Sequence, residues 1–142
     1  MRGMKMSDKE CPFCTVSQER VVVLGERAFA IRDQYPVSPG HTLVISKRHF
    51  ASWFEATNVE RLEIFGMLDR LKAELDLELN PAGYNIGVNV GGAAGQTVNH
   101  LHIHLIPRYK DDVDDPRGGV RYSIPGRGNY HCPGKIPKMR KG

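Results

Sequence analysis

The chain has 142 residues, 40% of them apolar and 25% charged, with a formal net charge of +4. That length folds as one domain by default, buries roughly 70% of its unfolded surface, and carries too much apolar residue for a disordered chain. No run approaches the ~18 apolar residues of a membrane span, and the first ten residues lack the apolar stretch of a signal peptide, so a cytoplasmic location is expected.

Residues 1–10 read as a flexible lead-in. Cys11-Pro12-Phe13-Cys14 follows. A redox role for this pair requires a strand before it and a helix after it, but the residues before it are polar and charged. Zinc suits it better, although two cysteines supply half of a tetrahedral site and the rest must come from histidine. Cys132 stands alone.

Residues 19–24 and 27–33, separated by a Gly-Glu turn, read as a hairpin. Pro36, Pro39 and Gly40 interrupt regular structure before a third strand at 41–46. Thr57 and Glu60 have the spacing of a capping box. Leu62, Phe65, Leu68, Leu71, Leu75 and Leu79 then recur at helical intervals as one apolar stripe, until residues 80–83 end the helix. Residues 84–90 alternate as a fourth strand, and the small-residue loop 91–96 leads into residues 99–108, expected to pair back on it. Residues 120–125 read as a short further strand or an extended arm. Much of the positive excess lies in residues 135–141, which have no periodicity and read as a solvated basic tail. Successive strands without alternating helices predict an α+β fold: an antiparallel sheet of about five strands with one long helix packed on one side.

Three of the six histidines, His100, His102 and His104, lie two residues apart. In a strand they share one face, while Leu101, Ile103 and Leu105 take the other. Such a row can ligate one metal, sit as satisfied core residues, or act as a catalytic row with one ring as nucleophile. The preceding glycine-rich loop, able to offer backbone N–H groups to an anion, favours a functional reading.

The run His100-Leu101-His102-Ile103-His104-Leu105-Ile106 resembles the His-φ-His-φ-His-φ-φ signature of the histidine-triad (HIT) family of nucleotide hydrolases and transferases. Residues 37–45 are similar to the family's segment before a strand, and Gly95-Gln96-Thr97-Val98 to its loop before the triad. The resemblance covers about residues 11–108, and leaves 1–10 as a flexible N-terminus and 109–142 as an extension with a basic tail. It implies that His102 attacks an α-phosphate, that His104 contacts the phosphoryl oxygens and assists the leaving group, and that Gln96, Asn89 and the Thr97 N–H contact phosphate. Asp33 would bind a ribose, although a turn-capping role competes for it. Ile31 and Phe29 would flank the base. The resemblance further implies a structural zinc held by Cys11, Cys14, His49 and His100, and a homodimer. Arg117, Arg121 and Arg127 could neutralise a polyphosphate or nucleic-acid leaving group, or brace the dimer.

The expected reaction is hydrolysis of a dinucleoside polyphosphate or another nucleoside 5′-phosphoryl bond through a nucleotidyl-histidine. The alternatives are transfer to phosphate (a phosphorylase), removal of adenylate from a nucleic-acid end, a nucleotide-binding sensor, and a metal-dependent enzyme ligated by the His-x-His pair.

Overall fold

Short stretches of β-branched, aromatic and alternating apolar residues, broken by Gly and Pro, set the strands of this computed structural model, which describes residues 10–130. They are β1 (Val21–Leu24), β2 (Ala28–Arg32), β3 (Thr42–Ser46), β4 (Gly83–Gly87) and β5 (His102–Arg108); the helix α1 (Asn58–Leu79) stands between β3 and β4. One sheet forms in the order β1-β2-β3-β5-β4, with every neighbouring pair antiparallel. The expected α+β architecture, both hairpins included, is what the chain adopts. No helix among the described residues is long and apolar enough to cross a membrane.

Alternation along the strands sorts two apolar layers. Ala28, Ala30, Val44, Leu101, Ile103 and Leu105 face α1 and bury its Ile64, Met67, Leu68, Leu71 and Leu75. Phe29, Ile31, Leu43 and Ile45 face the other way, under Phe13 and Val16 of the N-terminal segment. Each large side chain fully removed from water contributes about 2 kcal/mol, so this second layer pins a segment with no strand of its own.

The capping box is present: the Thr57 hydroxyl accepts from the Glu60 N–H at 3.1 Å, and Glu60 accepts from the Thr57 N–H at 2.9 Å. Arg48 donates to the same carboxylate at 2.8 Å and holds it below its usual pKa. Asn80, in the left-handed region at φ 47°, ends the helix ahead of Pro81.

The expected leucine stripe is corrected in part. Leu62, Phe65 and Leu79 are 69%, 53% and 39% exposed, and Ile64 and Met67 enter the core instead. A three-residue step turns a helix back by about 60°, so Leu62 lies about 120° round from Leu68.

Two further expectations differ. β5 begins at His102, so His100 and Leu101 precede the strand. There the Leu101 N–H donates to the Phe50 carbonyl and the Ser46 N–H to the Leu101 carbonyl, which ties the segment to the chain after β3. Residues 119–123 form a 3-10 turn against β4 rather than a strand or arm. The turn starts at Gly118 (φ 103°), where any Cβ would lie 2.1 Å from the Gly128 carbonyl oxygen. Cys132 and the basic tail lie outside the described residues, as do residues 1–9.

Candidate active site and metal centre

His100 is fully buried and turned away from the other two triad rings. Its Nε2–H donates to the Ser46 carbonyl at 2.6 Å, which leaves Nδ1 bare. Nδ1 faces Cys11 Sγ at 3.3 Å, Cys14 Sγ at 3.4 Å and His49 Nδ1 at 3.1 Å, and Cys14 Sγ lies 3.2 Å from His49 Nδ1. A tetrahedral shell with bonds of about 2.0–2.3 Å has edges of about 3.3–3.7 Å, so these four donors stand close to where a Cys₂His₂ metal needs them. The cluster is compatible with a metal site. Its parts come from a tight turn in which the Cys14 N–H donates to the Cys11 carbonyl, from the end of β3, and from the segment before β5.

His102 and His104 open instead onto a cleft of about 450 Å³. The His102 Nδ1–H donates to the His100 carbonyl at 2.7 Å, so its Nε2 is left with a free lone pair. His104 is ordered by a residue that sequence reasoning left without a role. The Val37 N–H donates to His41 Nδ1 at 3.2 Å, so the proton of His41 sits on Nε2, which donates to His104 Nδ1 at 2.9 Å. The proton of His104 is thereby placed on its own Nε2. Burial first, and then the neighbouring His102 and His41, lower the His104 pKa to about 4. Burial also lowers that of His41, against the pull of Asp33. Asp33 Oδ2 lies 3.4 Å from His41 Nε2, and Asp33 Oδ1 accepts from the Tyr35 N–H at 2.8 Å. His41 and His104 thus form a proton-ordered pair, with the Asp33 carboxylate facing the same His41 nitrogen. A metal on His41 Nε2 would move its proton to Nδ1, against the Val37 N–H.

Asp33, Asn89 and Thr97 line the cleft, as does Ile31. Gln96 does not. Its Oε1 accepts from the Gly91 N–H at 2.9 Å, and its Nε2 donates to the Ala51 and Val98 carbonyls, so the whole amide is spent on bracing the loop. Phe29 faces a neighbouring cleft instead. Arg117 pairs with Asp115, and Arg121 donates to the Gly128 and Arg127 carbonyls under the Tyr130 ring, so both hold the extension to itself.

His41 and Phe13 are the residues that local reading missed. The Phe13 ring meets His102 edge-on, with centroids 4.9 Å apart, and lines both clefts. The one available signal for His41 was its place directly after Gly40 in the segment similar to the family. Gly40 has φ 86°, and a Cβ there would lie 2.9 Å from Leu75 and Leu79. Only glycine turns the chain there so tightly under the helix.

The HIT domain family model matches residues 15–111. This chain belongs to the HIT family. An uncharacterised 16.1 kDa HIT-like protein of Mycoplasma pneumoniae is 40% identical over 115 residues, 78% of this chain and 79% of that protein. A bis(5′-adenosyl)-triphosphatase of Dictyostelium discoideum is 33% identical over 70% of this chain and 67% of its own length. An AP-4-A phosphorylase of Mycobacterium tuberculosis is 29% identical over 74% of this chain and 54% of its own. Among solved structures, a HIT family protein from Bacillus anthracis str. 'Ames Ancestor' is 41% identical with a TM-score of 0.62, and the match covers 64% of each chain, just under two thirds. A Zn-bound histidine triad family protein from Mycobacterium smegmatis is 32% identical with a TM-score of 0.60, over 65% of this chain and 67% of that one. The matched HIT segment begins just after Cys11 and Cys14 and ends before most of the extension.

Proposed function

We propose that this HIT protein hydrolyses a nucleoside 5′-phosphoryl bond, such as that of a dinucleoside polyphosphate, through a nucleotide bound covalently to His102. The observation that carries this reading is the bare Nε2 of His102, facing a cleft that also holds Asp33. The Nε2 lone pair attacks the α-phosphorus and the bond to the leaving oxygen breaks, which yields a P–N bond and a released phosphate or nucleotide. The Nε2–H of neutral His104 donates to the phosphoryl oxygens as charge gathers there, and the Thr97 backbone and Asn89 add fixed dipoles. Water then attacks phosphorus, the P–N bond breaks, and neutral His102 and a nucleoside monophosphate remain. Transfer to phosphate is the second reading, favoured by the AP-4-A phosphorylase relative; phosphate replaces water in the last step.

Asp33 receives the ribose hydroxyls in this reading, and Phe13, backed by the buried Ile31, flanks the base. Gln96 is a positioning residue that shapes the loop under the phosphate. Zinc is the metal proposed for Cys11, Cys14, His49 and His100, where it cross-links the N-terminal turn to the base of β5 with no position open for water. Residues 11–108 form the working domain, with 109–142 as its appendage, and the protein acts as a homodimer in the cytoplasm.

His102→Ala is expected to abolish turnover of dinucleoside polyphosphates while its circular dichroism spectrum and zinc content stay those of the parent protein. Rapid quenching of the parent with labelled substrate should trap label on His102. Hydrolysis at the parent rate by the variant overturns the mechanism.

A further inference from the structure

The cleft runs across the sheet rather than along it. His102 and His104 stand on β5, Ile31 on β2, and Arg20 directly before β1; the register pairs Val21 with Ile31 and so sets Arg20 opposite Arg32, next to Asp33 and Gln34, with which it lines the cleft. From β5 to β1 is three strand spacings, about 14 Å. An extended nucleoside 5′-phosphate, with its phosphate at the histidines and its ribose at Asp33, is somewhat shorter than this, and the long arginine side chain closes the difference. The far edge of the base then arrives at Arg20 and Gln34.

Both side chains line the cleft, and neither makes a side-chain hydrogen bond or ion pair among the described residues. The contrast with the other arginines is informative, since Arg48 is held by Glu60, Arg108 by Asp112 and Arg117 by Asp115. An apolar slot needs no cation for its face, which Phe13 supplies over the buried Ile31. A guanidinium at its end is of use only to an acceptor.

We propose that Arg20, supported by Gln34, reads the outer edge of the base and makes the site prefer a 6-oxopurine over a 6-aminopurine. The chemistry follows from the two edges. Guanine presents O6 and N7, two acceptors spaced for the guanidinium fork, whereas adenine presents N7 beside an N6 amine that points its hydrogens at the same donors. Gln34, both donor and acceptor, tolerates either purine and adds contact without choosing. The AP-4-A phosphorylase and the bis(5′-adenosyl)-triphosphatase described above carry adenosine in their names, so the preference separates this chain from them.

The inference rests on the nucleotide reading of the cleft, and one experiment separates the two. Calorimetric titration with GMP and AMP, paired with kcat/KM for diguanosine and diadenosine tetraphosphates, is run on the parent, Arg20→Ala and Arg20→Lys. Bidentate recognition of this kind is worth about five- to a hundred-fold, and a rim position open to water belongs near ten-fold. The parent should favour guanine by about that factor, and both variants should bring the ratio close to one. Lysine keeps the charge but loses the fork, so a ratio that survives Arg20→Lys overturns edge reading in favour of simple charge attraction. Equal binding of GMP and AMP by the parent overturns the preference and leaves the nucleotide reading intact. If neither nucleotide binds and neither substrate is turned over, the nucleotide reading falls and the preference with it.

Discussion

His104 shows how a single ring acquires a role from its neighbours. Its pKa, lowered to about 4 by burial and by the adjacent rings, keeps it neutral at physiological pH. A neutral imidazole is a hydrogen-bond donor rather than a strong acid, so in the proposed reaction it serves as a dipole aimed at the phosphoryl group. The same shift has a consequence for folding. In the unfolded chain this histidine takes a proton near pH 6.5, and in the folded protein only near pH 4, so the unfolded state binds more protons between those values. The contribution of His104 to stability is complete above about pH 6.5 and is lost as the pH falls towards 4. Urea unfolding at pH 7.5 and pH 4.5 should therefore show a larger loss for the parent than for His104→Gln, by on the order of 2 kcal/mol. Equal losses in the two proteins would show that His104 is not the group responsible.

At the scale of elements, the turn holding Cys11 and Cys14 does more than bring two thiols to the candidate metal cluster. Phe13 lies between the two cysteines, against His102 and on the wall of the cleft. His100 joins the two sites from the other side, since its ring faces the cysteines while its carbonyl accepts the His102 proton. Metal loss through Cys14→Ser is expected to weaken nucleotide monophosphate binding by about 1–2 kcal/mol as the stacking ring becomes mobile, and to lower Tm as well. Unchanged affinity in a metal-free, folded variant would detach the cleft from the metal centre.

The helix teaches a related lesson. Its cap and its stop were readable because Thr57, Glu60, Asn80 and Pro81 act on backbone groups within one turn. Which apolar residues enter the core was less so, because Leu62, Ile64 and Phe65 all fit a helical period and only the position of the sheet selects among them. The histidine strand was legible for the same local reason. His100 left the row because Ser46, from β3, claims its ring.

In the whole molecule, β4 is the last strand of the sheet, and among the described residues no further strand pairs with its outer edge, although the 3-10 turn of residues 119–123 packs against β4. Ile86 on that strand is 53% exposed, as are Phe65 and, more fully, Leu62 on the helix. An unpaired edge beside exposed apolar side chains is a surface that proteins commonly cover. A second copy is the proposed cover. Sedimentation should give a dimer for the parent and a monomer for Ile86→Lys combined with Leu62→Glu; a monomeric parent removes the proposal.

Order along the chain determined what depends on neighbours a few residues apart. It set the strand and helix periods, the caps, the breaks at Pro and Gly, and the spacing that marks the HIT family. Tertiary structure alone decided which residues meet. It set His41 on His104 across 63 positions and drew Cys11 to His100 across 89. It turned the Gln96 amide into its own loop and laid Arg20 at the far end of a cleft that starts three strands away. The physical reason is that a period repeats within an element and can be counted. A ring's tautomer, or a guanidinium's lack of a partner, depends on atoms brought in by sheet register and by packing of the N-terminal turn.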